Sequence, residues 1–177
     1  MTHLVSAKQE TGRRRATAVE TRFGWMAMAA TTRGLCWLEL AGSEQQARAG
    51  LRAGLAGCTL EEDRALAVYA EWAMAEVEGG PEPQTHPLDL QGTEFQSRVW
   101  TALRRIPRGE WRSYGQLAHE LGMPGGTRAV AGACARNRVA VLVPCHRVLG
   151  ARGSLTGYRW GLERKQNLLQ AERDSLL

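Results

Sequence analysis

Residues 79–87 read GGPEPQTHP, and three prolines with two glycines in nine residues can continue neither a helix nor a central strand. The chain is therefore expected to divide there into two units, residues 1–88 and 89–177. Before the break, RATAVETRF, WMAMAAT and LCWLELA, separated by Gly24 and the TTRG turn at 31–34, read as three strands. In the third, Cys36, Leu38 and Leu40 are expected on one face. Helical patterns follow at 43–56 and 61–78, the second with Leu66, Tyr69, Ala73 and Val77 toward the sheet. This half reads as a small α+β module without a catalytic constellation. His3, Cys58 and His86 lack any CxxC or HxxxH spacing, so no metal site is expected.

After the break the signals are mostly helical. Thr93 and Gln96 fit a capping box, followed by Phe95, Val99, Leu103 and Ile106 at one-turn spacing, with PRG at 107–109 as the stop. Ser113 and Gln116 form a second capping box, opening YGQLAHELG. After the turn MPGG, a third helix is expected from Thr127. Short helix, Gly/Pro turn and short helix outline a helix-turn-helix. The outer face expected for its second helix (Ala129, Gly132, Ala133 and Arg136) offers almost nothing to hydrogen-bond with base edges. Two readings stay open: tight helix packing, or a helix pressed into a minor groove that grips shape and phosphates.

Charge is uneven. Residues 1–91 carry nine Lys/Arg against twelve Asp/Glu, and residues 92–177 carry fourteen against six, within a net charge of +5. A basic second half fits either a polyanion-binding surface or an ordinary solvated face. No apolar run approaches the roughly 18 residues of a membrane span, and the first fifteen residues hold no secretory apolar stretch. A cytoplasmic protein with four free thiols (Cys36, Cys58, Cys134 and Cys145) is expected.

Residues 143–148 read VPCHRV. An unperturbed thiol is only a few per cent thiolate at neutral pH, so a nucleophilic Cys145 needs a base or positive charge nearby. His146 and Arg147 are candidates. In an extended segment following an apolar strand VAVLV, neighbours point to opposite faces, so a bridging water is the easier link from Cys145 to His146. Read alone, the dipeptide reads first as a structural thiol and only second as a nucleophile.

PCHRV, with YRWGLERK downstream and SYGQLA…RAVAGACARN upstream, closely resembles the O6-alkylguanine-DNA alkyltransferases, above all the alkyltransferase part of bacterial adaptive-response regulators. The likeness runs from GTEFQSRVW to AERD. It implies a ribonuclease-H-like sheet-and-helix domain packed on a mostly helical domain with a helix-turn-helix. It further implies Cys145 as alkyl acceptor, His146 as its base through a water, and Glu172 orienting that histidine. By itself Glu172 reads as a solvated acid near a helix end. The resemblance casts Asn137 as a link between the two DNA-facing helices, Tyr114 as guanine contact and proton donor, and Arg128 as filler of the vacated base stack. Gly157, Tyr158, the Arg159 N–H and the Val148 carbonyl would form the pocket. Arg138 stands where many members have proline.

The implied activity is direct, single-use transfer from O6-alkylguanine, less readily O4-alkylthymine, in double-stranded DNA gripped from the minor groove by a monomer without cofactor. The competing readings are a cysteine hydrolase, which would turn over, and a helix-turn-helix protein that binds alkyl lesions without catalysis.

Overall fold

The computed structural model describes residues 12–80 and 87–177. His3, His86 and the central residues 81–86 of the expected linker lie outside them. The apolar alternation before the break becomes an antiparallel meander of β1 (Arg13–Thr21), β2 (Gly24–Thr31) and β3 (Gly34–Ala41). Helix α1 (Glu44–Gly54) follows, capped by Ser43, whose hydroxyl accepts from the Gln46 N–H. Strand β4 (Thr59–Glu62) then adds parallel to β1, completing the order β3-β2-β1-β4.

Two expectations for this half need correction. The helical pattern at 61–78 starts as the end of β4 and a 3₁₀ turn, Arg64–Ala67, so that α2 spans only Val68–Glu78. Asp63 accepts from the Ala65 N–H and starts the turn, while Glu61 and Glu62 are held in the strand by Arg13 and Arg48. The expected buried face of Leu66, Tyr69, Ala73 and Val77 is present. Cys36 does not share a face with Leu38 and Leu40. The β2–β3 register shifts between Ala29 and Ala30, which pairs Ala29 with Trp37 and Ala30 with Leu35. That bulge turns Cys36 and Trp37 toward α1, while Leu35, Leu38 and Leu40 face the other core.

In the second half, α3 (Glu94–Leu103) and α4 (Tyr114–Glu120) open on complete capping boxes, Thr93 with Gln96 and Ser113 with Gln116. Helix α5 (Thr127–Ala135) follows the Gly-rich turn, and α6 (Leu162–Asp174) closes the chain. Two short strands, β5 (Arg112–Ser113) and β6 (Val148–Leu149), pair in parallel. The segment VAVLV is not a strand. It makes an isolated bridge at Val139, and Val141 has φ +66°, a strained setting for a β-branched residue.

The two halves are joined by backbone pairing. The outer edge of β3 would be free in an isolated sheet. Here the Leu35 N–H donates to the Pro87 carbonyl at 2.9 Å, and the Asp89 N–H to the Leu35 carbonyl at 2.8 Å. Further along, the Leu38 N–H donates to the Arg138 carbonyl at 2.8 Å and the Ala140 N–H to the Leu38 carbonyl at 3.1 Å. The edge is thus covered by residues 87–89 and 138–140. One apolar cluster continues across the junction, from Met26 and Leu38 through Trp100 and Val143 to Leu168. Among the described residues no helix is long and apolar enough to cross a membrane.

Gly34 tests this junction. Its φ is +142°, and a Cβ there would run into the Pro87 carbonyl. Gly122 has φ +75° but open space around it. Gly34→Ala is expected to cost about 3 kcal/mol or more in urea unfolding, and Gly122→Ala only about 1 kcal/mol.

Candidate functional site

Cys145, His146 and Arg147 form one 3₁₀ turn, not an extended segment, so their side chains fan out from a single point. All three are buried. The Cys145 sulfur accepts from the Asn137 amide nitrogen at 3.2 Å. That amide also donates to the Val143 carbonyl at 2.8 Å, and the Asn137 Oδ1 accepts from the Val139 N–H at 2.9 Å. Asn137 therefore ties the end of α5 to the loop carrying the cysteine. It does not bridge α4 and α5, as the sequence reading had it.

His146 Nε2 lies 2.7 Å from Glu172 Oε1. Glu172 is fully buried on α6, so the reading as a solvated acid is overturned. Burial would raise its pKa. Hydrogen bonds and charge from His146 and Arg147 outweigh that and hold it at about 2. An ionised carboxylate only accepts, so Nε2 carries the imidazole proton. Nδ1 keeps its lone pair, is buried, and has no hydrogen-bond partner among the described residues. Burial lowers the His146 pKa against the pull of Glu172, so the ring is neutral at pH 7.

Two buried cations complete the site: Arg147, already a candidate from the sequence, and Lys165, which the sequence reading missed. The Arg147 guanidinium donates to Glu172 at 2.8–3.1 Å, to Glu76 of α2 at 2.8 Å and to the Ile106 carbonyl at 2.8 Å. Lys165 donates to the Val148 carbonyl at 2.6 Å and the Thr156 carbonyl at 2.9 Å. A signal for Lys165 was available. Lys165, Leu168, Leu169 and Glu172 share helical spacing, which places two charges in the buried stripe of α6.

A cavity of about 410 Å³ opens beside the sulfur, lined by Tyr114, Ala131, Cys134, Cys145, Tyr158 and Arg159 among others. Gly157 and Thr156 form part of its wall. Val148, expected at the pocket, is buried behind it, its carbonyl held by Lys165. Arg128 and Ala129 are exposed on α5, Gly132 is half-buried, and Arg136 is exposed with a guanidinium folded back onto the Gly132 carbonyl. Ala133 departs from expectation. It is buried, and its carbonyl accepts from the Trp100 indole at 3.0 Å, because α5 rotates that position onto α3.

Acidity does not single out Cys145. Burial pushes its thiol up to about 11, against Asn137 and Lys165, much as burial pushes Cys36 to about 11. What distinguishes Cys145 is position: a sulfur on a cavity wall, with an amide donor on it and the buried Lys165 close enough to favour its anion. Such a set can stabilise the anion once the sulfur has lost its proton.

Comparison with known proteins agrees with this geometry. The family model described as "6-O-methylguanine DNA methyltransferase, DNA binding domain" matches residues 94–174. A methylated-DNA–protein-cysteine methyltransferase of Mycolicibacterium paratuberculosis is 60% identical over 86 residues, covering 49% of this chain and 52% of that protein. The bifunctional transcriptional activator/DNA repair enzyme Ada of Escherichia coli is 55% identical over 93 residues, 52% of this chain and 26% of its own length. The chain thus spans about half the length, or less, of these curated relatives. The crystal structure of Mycobacterium tuberculosis OGT in complex with DNA superposes with a TM-score of 0.75 at 36% identity, covering 92% of this chain and 94% of that one.

The buried charges make stability pH-dependent. The carboxyl of Glu172 falls from an ordinary 4.5 to about 2 on folding, so its contribution is complete above about 4.5 and is lost as pH falls toward 2. Glu172→Gln should flatten that acid limb of an unfolding-stability curve measured between pH 2 and 6. Arg147→Met, which takes the guanidinium away from the buried carboxylate of Glu172, should cost about 3–5 kcal/mol at pH 7 by urea unfolding.

Proposed function

Because the chain belongs to the 6-O-methylguanine DNA methyltransferase family, we propose that it repairs alkylated DNA by moving an alkyl group from guanine O6 to its own Cys145. The observation that carries this reading is a cavity-lining thiol followed directly in the chain by a buried histidine whose Nδ1 is unengaged. His146 takes the Cys145 proton through a bridging water, and Glu172 stabilises the imidazolium that forms. Asn137 and Lys165 stabilise the thiolate. The sulfur then displaces guanine at the alkyl carbon: the S–C bond forms, the C–O6 bond breaks, and O6 receives a proton from Tyr114. The product is a thioether with no leaving group for water to displace, so each molecule acts once.

We further read the four-stranded sheet half, to residue 88, as a ribonuclease-H-like support, and residues 89–177 as the DNA-binding and transfer half. Helices α4 and α5 form its helix-turn-helix. The outer face of α5, with exposed Arg128, Ala129 and Arg136 and half-buried Gly132, lies along a minor groove. Arg128 replaces the extruded base, whose extrusion costs a few kcal/mol and less for a poorly paired lesion. Tyr158, Gly157 and the Arg159 N–H receive the flipped guanine. The Val148 carbonyl, already accepting from Lys165, keeps a second lone pair for the exocyclic amine.

Duplex DNA carrying O6-methylguanine, mixed with the protein and read by intact mass and peptide mapping, should place one methyl on Cys145 and none on Cys134, although both thiols line the cavity. Cys145→Ser should bind the duplex and accept nothing. His146→Ala should slow transfer by about 10²–10⁴-fold. Binding without any methylated cysteine would favour the non-catalytic lesion binder, and many lesions per molecule would favour a turnover enzyme.

A further inference from the structure

The outer wall of the cavity is held from the opposite half of the molecule. Glu39, on β3, is far from Cys145 in sequence and only 13% exposed at its side chain. Its Oε2 accepts from the Trp37 indole at 2.9 Å, and its Oε1 accepts from the Trp160 indole at 3.0 Å. Arg159 approaches the same carboxylate at 3.9 Å and lies over the Trp37 ring at 5.0 Å. Trp160 is buried and meets Tyr158 edge-on, with ring centroids 5.1 Å apart. Tyr158 and Arg159 line the cavity.

Helix α1 fixes the other side of the carboxylate. A Cβ on Gly50 would stand 3.0 Å from the Glu39 side chain, and one on Gly54 would overlap the Trp37 ring. Two glycines one helical turn apart therefore leave the room that these two side chains occupy. Glu39 is confined by α1 above and the two indoles beside it.

We propose that Glu39 is a positioning residue for the cavity wall, setting which alkyl groups reach Cys145. The inference rests on the transfer activity proposed above. Lys165 holds the wall from beneath, through the Thr156 and Val148 carbonyls, and Glu39 holds it from the sheet. With both anchors in place, Tyr158 and Arg159 stand still and large O6 substituents are excluded. Without Glu39 the buried indole N–H groups lose their acceptor, the 156–160 segment loosens, and bulky groups gain access.

The test compares wild type with Glu39→Ala, Glu39→Gln and Gly54→Ala. Transfer to Cys145 from duplexes carrying O6-methylguanine or O6-benzylguanine is timed by intact mass, and backbone hydrogen exchange is followed at residues 154–161. Glu39→Ala should raise the benzyl-to-methyl rate ratio about tenfold and speed exchange in 154–161 by a similar factor, with α6 unchanged. Glu39→Gln, which keeps one acceptor oxygen, should restore part of both, and Gly54→Ala, which displaces Trp37, should follow Glu39→Ala. Unchanged exchange, or methyl and benzyl rates falling by one common factor, would overturn the proposal. If wild type accepts neither alkyl group, the transfer reading fails separately, and the exchange measurement alone decides whether Glu39 anchors the wall.

Discussion

The buried contact between Arg147 and Glu172 is the constraint from which the site follows. An arginine and a glutamate removed from water are costly unless each finds partners. Arg147 reaches α6 through Glu172, α2 through Glu76 and the turn after α3 through the Ile106 carbonyl. Those elements come from both halves of the chain, so the turn bearing Cys145 can sit in only one place once the guanidinium is satisfied. The same carboxylate fixes the His146 tautomer, which leaves Nδ1 without a hydrogen-bond partner among the described residues.

The pairing of β3 with residues 138–140 delivers the reactive loop to that position. It explains why VAVLV is not a conventional strand. The segment makes one bridge to Leu38, then has to turn sharply through Val141 to bring Cys145 under Asn137. The sheet half thus helps to shape the site although it lies on the far side of the junction from Cys145. It supplies the edge that the loop docks on, the carboxylate Glu76, and, through Glu39, a hold on the far wall of the cavity.

Much was legible from residue order. The three-stranded meander, both capping boxes, α5 and the glycine stops depend on periodicity and on hydrogen bonds spanning three or four residues, and these appeared where expected. The errors have a common origin. A bulge moved Cys36 to the other face, a strand edge recruited residues 59–62 that read as helix, and packing on α3 buried Ala133. Each depends on a partner remote in sequence.

The sequence by itself determined the local elements and, through the run PCHRV and its flanking motifs, the resemblance to the alkyltransferase family. Those are short-range matters, carried by dihedral preference, side-chain period and the chemistry of a thiol beside an imidazole. Only the tertiary structure decided that Glu172 is ionised and buried, that Lys165 and Arg147 stand as desolvated cations, and that Glu39 leans on the pocket from the opposite half. Desolvation and charge pairing act through space, and they are set by which groups folding brings within a few ångströms of one another.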